Sequence, residues 1–187
     1  MYLKISFENK IKIILITIIA IITYTLVVIF DNSNSYNKKY NYKIDQNNLY
    51  KVINVIDGDT VEIQLNGNQK VFVRMLGIDT PETVDPRKTV QCFGKEASNK
   101  TKELLFNKNI ILELDKTQYK FDKYGRVLAY IKREDGLFIN QYLIENGFAY
   151  EYTYNIPYKY QKEFKALQKQ AKKEKRGLWG DKCNLII

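Results

Sequence analysis

Two short runs of alternating apolar and polar residues, with acids at both ends, constrain the fold of this chain more than any other feature. Residues 61–65 and 71–75 alternate with the period of a β-strand, and the Asn-Gly-Asn at residues 66–68 is typical of a tight turn. The pattern predicts an antiparallel hairpin. Because the far ends of two such strands meet, Asp59 before the first strand and Asp79 after the second should lie close together.

Acids that converge at one end of a sheet need a positive partner. As ionised carboxylates, Asp59, Asp79 and Glu82 would repel one another unless a cation lay between them. Oxygen ligands of this kind suit Ca²⁺ or Mg²⁺. The sequence therefore predicts a divalent-metal site. A plainer alternative, in which Asp59 and Asp79 only cap turns, stays open at this point.

The composition limits the chemistry that the chain can perform. Its 187 residues include no histidine and two cysteines. Histidine general bases, Ser-His-Asp and Cys-His catalysis and histidine-ligated zinc are thereby excluded, and two cysteines are too few for a structural zinc site. The net charge of +9, together with 15 tyrosines, favours a polyanionic partner such as nucleic acid. A general richness in lysine and asparagine would give the same charge.

The N-terminal part has the pattern of a membrane signal. Residues 13–30 carry no charge and are just long enough to cross a bilayer, and the lysines before them favour a domain outside the membrane. No Ala-x-Ala cleavage site follows, so residues 1–30 are expected to be an uncleaved anchor, with cleavage and secretion as the alternative. Residues 31–47 are polar and asparagine-rich, and predict a flexible linker to a folded domain at residues 48–187.

The remaining periodicity predicts five strands and three helices. Strand patterns cover residues 49–56, 60–65, 70–76, 110–114 and 126–132. Helical patterns cover residues 94–107, 140–146 and 158–175, and Asn140 is expected to cap the second of these helices. The order βββ-α-ββ-α-α is that of an α+β protein, a five-stranded OB-fold β-barrel with three accessory helices, preceded here by the N-terminal hydrophobic helix.

Four motifs, taken in order, resemble the staphylococcal thermonuclease family. They are Asp-Gly-Asp-Thr at residues 57–60, Arg74 followed by Asp-Thr-Pro-Glu at residues 79–82, Gly-Lys-Glu-Ala at residues 94–97, and Asp-Lys-Tyr-Gly-Arg-Val-Leu-Ala-Tyr at residues 122–130. The resemblance extends from about residue 51 to residue 179. It implies an OB-fold and a Ca²⁺-dependent phosphodiesterase that cleaves DNA and RNA and leaves 3′-phosphate products.

The resemblance also implies a set of site residues. Asp59, Asp79 and the backbone carbonyl of Thr80 would bind Ca²⁺, and Glu82 would either deprotonate the attacking water or only orient it. The two remaining catalytic residues are arginines, whose guanidinium groups would stabilise the charge that builds up on the phosphate; they are Arg74 and Arg126. Arg74 is expected to share a largely apolar strand face with Phe72 and Leu76, where an unpaired charge would be costly.

Substrate contacts and a disulfide complete the expectations. The substrate-binding residues are expected to be Lys123, Tyr124, Leu128, Tyr152 and Tyr154. By resemblance to the family, Lys123 and Tyr124 would contact a terminal phosphate of the substrate. Tyr152 and Tyr154 are expected to stack on a base, but they are displaced by one position relative to Pro157 when set against the family pattern, so their individual assignments stay open. Cys92 and Cys183 would form a disulfide if the domain is extracytoplasmic, although the usual family member has no such pair.

Two functions fit these residues. One is a monomeric, membrane-tethered or secreted nuclease that acts on DNA and RNA with little sequence preference, best on single-stranded or frayed substrates. The other is a non-catalytic OB-fold module that holds nucleic acid at the cell surface. The second would be expected to lack one or more of the side chains of Asp59, Asp79, Glu82, Arg74 and Arg126. All five are present, which favours the enzyme.

Overall fold

The computed structural model describes residues 7–39, 43–65, 67–82 and 91–184, and divides into two compact units at Lys43/Ile44. The first unit contains helix α1 (Phe7–Lys39). Its segment Glu8–Ile29 is long and apolar enough to cross a membrane, a test that a signal sequence would also pass. The helix continues to Lys39, into the stretch where the polar composition predicts a flexible linker. The helix can continue into polar residues because extending a helix costs far less free energy than nucleating one.

The second unit is built on a closed five-stranded barrel. The barrel strands are β1 (Tyr50–Asp57), β2 (Thr60–Gln64), β3 (Lys70–Met75), β5 (Asn109–Glu113) and β6 (Val127–Arg133). Their order around the barrel is β1-β2-β3-β6-β5, with β3 and β6 parallel and the other neighbours antiparallel. The predicted OB-fold barrel is confirmed. A two-stranded ladder, β4 (Ile78–Asp79) with β7 (Tyr150–Glu151), lies outside it and was not predicted.

Alternation along the strands places one face of each in the core. On the hairpin, the inward side chains are at most 4% exposed: Val61, Ile63, Val71, Val73 and Met75. Each such side chain stabilises the fold by roughly 1.5–3 kcal/mol relative to exposure. Residues between them, Arg74 among them, necessarily point away from the barrel interior, which is where a binding site can form.

Three helices pack around this barrel, at positions close to those predicted. They are α2 (Gly94–Leu105), α3 (Ile139–Glu145) and α4 (Gln161–Lys173), and a 3₁₀ turn (Gly177–Trp179) and a short α5 (Asp181–Asn184) follow. Helix α4 buries Phe164 and Ala171 on one face, with a clear helical period. The two C-terminal turns were not predicted, because elements of three and four residues carry too little periodicity.

The prediction that Asn140 caps α3 is wrong. Phe138 stands at the N-cap, and Asn140 lies fully buried inside the first turn. Its amide nitrogen donates to the carbonyl of Leu76 (2.8 Å), and its amide oxygen accepts from the N–H of Ile131 (2.9 Å). A buried amide is stable only when both ends are bonded. Asn140 therefore joins Leu76, where the turn that leads to Asp79 begins, to Ile131 in β6.

A buried carboxylate, Asp115, fixes the segment that leads into α4. It accepts hydrogen bonds from the Tyr130 hydroxyl (2.7 Å), the Lys159 N–H (2.8 Å) and both the N–H and the hydroxyl of Thr117 (2.8 Å each). Burial raises the pKa of Asp115, but these hydrogen bonds lower it by more, so that the pKa lies below its ordinary value. The ionised form is therefore the stabilising one in the folded protein.

Asp115→Asn is expected to lower the free energy of unfolding by about 1.5–3 kcal/mol at neutral pH, since the amide cannot accept all of these bonds. Because the folded-state pKa of Asp115 is depressed, its contribution is complete above the unfolded pKa and is lost as the pH falls through the folded value. The deficit of the variant should therefore shrink below about pH 4. Urea unfolding of both proteins across this range measures it, and an equal deficit at about pH 7 and about pH 3 would contradict this role.

Candidate active site

The turn after β3 brings a second acid back to the hairpin. Thr60 pairs with Arg74 at the end of the β2–β3 ladder, and the N–H of Met75 donates to the carbonyl of Asp59 (2.9 Å). Gly77 adopts a positive φ of 74°, and a β-carbon there would lie 2.6 Å from the ring of Tyr158. Only glycine fits this turn, which returns the chain as β4 and sets its last residue against Arg74.

Arg74 lies between the two acids. One nitrogen, Nη1, is 3.1 Å from Asp59 Oδ2, and the other, Nη2, is 2.6 Å from Asp79 Oδ1. Nη1 also donates to the backbone carbonyls of Met75 (3.1 Å) and Ile78 (2.9 Å). These contacts hold the guanidinium in one orientation, with its side chain only 14% exposed. The structure thus brings Asp59, Asp79 and Arg74 into one cluster.

The two apolar neighbours predicted for Arg74 differ in how far they are exposed. Phe72, on the same side of β3, is 45% exposed, and Leu76 lies beyond the end of the strand with 8% exposure. Of these two apolar neighbours, one is thus partly exposed and the other is buried. The outer surface of the barrel is half-exposed here, and two carboxylates, not apolar neighbours, define the position of the guanidinium.

Asp59 is the more deeply held of the two acids. Its Oδ2 accepts the N–H (3.0 Å) and the hydroxyl (3.1 Å) of Thr80, and its Oδ1 accepts the hydroxyl of Thr60 (2.9 Å). The neighbouring Gly58 makes this approach possible, because a β-carbon there would come within 2.8 Å of the Thr80 side chain. Thr80, predicted through its carbonyl alone, therefore also orients Asp59 with its backbone N–H and side chain.

Negative charge accumulates around Asp79. Burial raises the pKa of Asp79, the charge of Arg74 lowers it, and the carboxylates of Asp59, Glu82 and Asp57 raise it again, so that the net shift is upward. Asp57 lies at the end of β1 and is itself buried. At Asp79, the charge of Arg74 is therefore outweighed by burial and by the neighbouring carboxylates, and a further cation close to Asp79 would be favoured.

The oxygens gathered here fit a hard divalent cation. Arg74 contacts Oδ2 of Asp59 and Oδ1 of Asp79, and the other oxygen of Asp59 accepts the hydroxyl of Thr60. Over the described ranges, no three acidic or cysteine side chains form a group that could hold a metal ion by themselves. A cation would therefore need further oxygens from backbone, water or phosphate, as the flexible shell of Ca²⁺ permits.

Glu82 is held through its backbone. Its N–H donates to the side-chain oxygen of Gln91 (2.9 Å), and the N–H of Gln91 donates back to the Glu82 carbonyl (3.0 Å). Its charge acts on Asp79, which puts Glu82 on the side of the acidic cluster. Residues 83–90, between these two partners, lie outside the described part. Nothing in the local sequence pattern predicted the pairing with Gln91.

A tight turn presents Arg126 to the same cluster. Asp122 accepts the N–H groups of Tyr124 and Arg126 through Oδ1 (2.9 Å each) and the side-chain Nε of Arg126 through Oδ2 (2.6 Å). Arg126 Nη1 then lies 3.4 Å from the hydroxyl of Thr60, the group that donates to Asp59. The two arginines thus approach Asp59 from different directions, Arg74 from β3 and Arg126 from the turn before β6. Asp122, whose role was not predicted, orients the second one.

The predicted substrate contacts lie on neighbouring surface. Lys123 Nζ and the Arg126 guanidinium lie 5.0 and 5.4 Å from the ring centre of Tyr124, which is 70% exposed. The pKa of Lys123 is raised, chiefly by a hydrogen bond with Tyr124 and to a smaller extent by Tyr154. Leu128 on β6 pairs with Arg74 on β3.

The tyrosines after β7 stand beside this surface. Tyr152 and Tyr154 are 44% and 72% exposed, with ring centres 6.4 Å apart, and the Tyr152 N–H donates to the carbonyl of Gly77 (3.0 Å). The β4–β7 ladder also pairs Tyr150 with Asp79, a neighbour that was not predicted. The turn at Gly77 therefore positions Asp79 and also holds the segment that carries these tyrosines.

The two cysteines are joined in the structure. Cys92 and Cys183 form a disulfide with a Cα–Cα distance of 5.7 Å and a sequence separation of 91. The bond connects the turn before α2 to the short C-terminal helix α5. Cys92 directly follows Gln91, the residue that holds the backbone of Glu82.

Comparison with known proteins shows the family of this chain. Residues 72–181 match the family model described as Staphylococcal nuclease homologue. The chain is 46% identical over 132 residues to a thermonuclease of Staphylococcus hyicus (71% of this chain and 76% of that one), and 39% identical over 164 residues to a thermonuclease of Staphylococcus intermedius (88% and 95%). It is 40% identical over 138 residues to the endonuclease YncB of Bacillus subtilis (71% and 64%). The chain belongs to the staphylococcal nuclease family and is a nuclease, an enzyme that cleaves phosphodiester bonds.

Proposed function

We propose that this nuclease is a Ca²⁺-dependent, sugar-nonspecific enzyme that hydrolyses DNA and RNA by in-line attack of water and leaves 3′-phosphate ends. The observation that carries the proposal is Arg74 lying 3.1 Å from Asp59 and 2.6 Å from Asp79, where the charges of Glu82 and Asp57 also act on Asp79. Such an arrangement suits a site that takes up a cation and a phosphate together.

The cation would be held by Asp59, Asp79 and the backbone carbonyl of Thr80. Ca²⁺ bound there would contribute positive charge next to a phosphate oxygen. The hydrogen bonds of Asp59 to Thr60 and Thr80 keep its carboxylate in place before any ion arrives, which lowers the cost of assembling the site.

Glu82 would act on the attacking water. A carboxylate serves as an acceptor for a water proton where the chain has no histidine, either as a general base or by orienting the water alone. The two hydrogen bonds between Glu82 and Gln91 support this role, because a base must be held within hydrogen-bond reach of its water.

The two arginines would stabilise the transition state. As water attacks, negative charge grows on the non-bridging oxygens of the phosphate, and a guanidinium fork can contact two of them. Arg74 is oriented by Asp59 and Asp79, and Arg126 by Asp122.

Substrate would be held by phosphate contacts and stacking, not by base edges. Lys123 and Tyr124 would bind a terminal phosphate, while Leu128 and the exposed rings of Tyr152 and Tyr154 would receive a base. Stacking on an exposed ring needs an unpaired base, so single-stranded or frayed ends should be preferred. Contacts of this kind carry little sequence information.

The nuclease is further proposed to act outside the cytoplasm. Residues 13–30 would hold the protein in the membrane, or be removed with secretion of the rest, and residues 31–47 would connect them to the catalytic domain at residues 48–187. The disulfide between Cys92 and Cys183 fits an oxidising compartment. The enzyme is proposed to act as a monomer, since each proposed site residue comes from one chain.

The full chain, purified in detergent, is expected to cleave single-stranded DNA and RNA in the presence of Ca²⁺, and to lose this activity when the ion is chelated. Gel analysis of end-labelled oligonucleotides measures the rate, and phosphatase treatment of the products identifies 3′-phosphate ends. Full activity in excess chelator, or products with 3′-hydroxyl ends, would refute this proposal. Substitution of Mg²⁺ for Ca²⁺ provides the control for metal identity.

A further inference from the structure

Two hydrogen bonds join Glu82 to Gln91 across eight intervening residues. The Glu82 N–H donates to Gln91 Oε1 (2.9 Å), and the Gln91 N–H donates to the Glu82 carbonyl (3.0 Å). The first bond depends on the side chain of Gln91 and the second only on its backbone. The position of the Glu82 backbone is therefore tied to the position of the turn that contains Gln91.

That turn is itself held from a distant part of the chain. Cys92 is bonded to Cys183 in α5, and α5 follows a 3₁₀ turn that packs tightly on the end of α3, where Leu178 donates its N–H to the carbonyl of Gly147 (2.8 Å). Gly147 and Gly177 approach so closely that a β-carbon on either would lie 2.2 Å from the backbone of the other segment. The disulfide thus anchors the turn that contains Gln91 to the closely packed 3₁₀ turn and α3 through α5.

The backbone next to the disulfide is in an unfavourable conformation. Phe93 has a φ of 68°, in the left-handed region that residues other than glycine seldom adopt. It is retained by ring packing on Phe148 (centroids 5.5 Å apart) and by the Ala97 N–H, which donates to the Phe93 carbonyl (3.0 Å). Such a conformation persists only where its surroundings determine it. The disulfide at the adjoining Cys92 is a further constraint on this turn, and it is lost when the bond is reduced.

We infer that Gln91, fixed in place by the Cys92–Cys183 disulfide, is a positioning residue for Glu82. The inference rests on the proposed role of Glu82 toward the attacking water. It adds that the catalytic position of Glu82 depends on a side-chain acceptor at residue 91 and on an intact disulfide. Activity of this nuclease should then rise when the two cysteines are oxidised.

The oxidation step balances as an ordinary thiol–disulfide exchange. A thiolate of one cysteine attacks a small-molecule or protein disulfide, which releases one reagent thiol and leaves a mixed disulfide. The thiolate of the second cysteine then attacks the cysteine sulfur of this mixed disulfide, forms the Cys92–Cys183 bond and releases the second reagent thiol. Two cysteine thiols lose two electrons and two protons, and the reagent disulfide is reduced to two thiols. In a reducing compartment the cysteines stay as thiols, so the chain would be held in a less active state until it reaches an oxidising one.

The side-chain contact is tested with two variants of nearly equal size. Gln91→Met removes the acceptor, and Gln91→Glu retains an oxygen at the same position. In the full chain with Ca²⁺, Gln91→Met should lower kcat for DNA cleavage about 10-fold or more with KM changed less than about twofold, since small displacements of a catalytic group cost up to ~10²-fold. Gln91→Glu should keep kcat within about threefold of wild type.

The disulfide is tested with Cys92→Ser combined with Cys183→Ser. This variant and the phosphine-reduced wild type should show the same lowered kcat, and the reductant should not affect the variant. Leu112→Ala, a core truncation in β5 with a fully buried side chain, serves as a control for lost stability and should keep kcat when assayed at a temperature at which it stays folded. Circular dichroism checks that each protein is folded in the assay.

Glu82→Ala, measured alongside, separates the two possible failures. If Glu82→Ala is inactive while Gln91→Met and the serine variant keep wild-type kcat, the positioning inference is overturned and the proposed function stands. If Glu82→Ala keeps wild-type activity, the proposed role of Glu82 fails, and the inference falls with it. A kcat lowered equally in Leu112→Ala would also overturn the inference, because general destabilisation would then explain the effect.

Discussion

Arg74→Ala is expected to lower kcat for DNA cleavage by about 10²–10³-fold, the usual effect of removing one donor aimed at developing negative charge. In the structure this guanidinium is held by Asp59, Asp79 and two backbone carbonyls, so its direction is determined before substrate binds. Its loss also removes the positive charge that separates the two acids. The Ca²⁺ concentration required for half-maximal activity should therefore not increase.

Arg74→Lys is the matched control, because it keeps the charge but loses the two-pronged geometry. We expect its kcat to lie between those of wild type and Arg74→Ala. Steady-state rates on single-stranded DNA at saturating Ca²⁺ measure all three proteins. Near wild-type activity in Arg74→Ala would refute the catalytic assignment, and equal activity of the lysine and wild-type enzymes would show that charge alone is needed.

Asp79→Asn, in contrast to Arg74→Ala, is expected to raise the Ca²⁺ concentration required for half-maximal activity, by about 10–100-fold. The substitution preserves the size of the side chain and removes one charge from the proposed ligand set. Asp59→Asn should do the same with an added loss of stability, because Asp59 accepts hydrogen bonds from Thr60 and Thr80 that an amide cannot fully replace.

The rate of DNA cleavage as a function of free Ca²⁺ measures this shift. Glu62→Gln is the comparison, since Glu62 is an acid of the same hairpin that pairs with Phe72, one outward-facing position removed from the Thr60–Arg74 pair. Its curve should coincide with that of wild type. If Asp79→Asn and Glu62→Gln behaved alike, Asp79 would not be a ligand.

Alternation and turn chemistry were enough to predict the barrel and the meeting of the acids. The hairpin pattern placed Asp59 and Asp79 at one end of the sheet, and the structure joins both to Arg74. This works because strand period and turn length are local properties of the sequence. The same reasoning predicted the five barrel strands and three helices, with boundaries that differ by a few residues.

Features that depend on distant contacts could not be predicted in the same way. The β4–β7 ladder has two residues per strand, too few for any periodicity, yet it places Tyr150 opposite Asp79. Asn140 looks like a helix cap from its neighbours, whereas its actual partners are the backbones of Leu76 and Ile131. The pairing of Gln91 with Glu82 likewise depends on how the chain returns after an intervening segment.

Equilibrium binding of Ca²⁺ to the full chain in detergent, measured by isothermal titration calorimetry, tests the central claim most directly. We predict one Ca²⁺ per chain for wild type, affinity weakened about 10-fold or more in Asp79→Asn, and affinity that is not weakened in Arg74→Ala. Wild-type affinity in Asp79→Asn, or no binding by the wild-type chain in the presence of a phosphate-bearing oligonucleotide, would contradict the account.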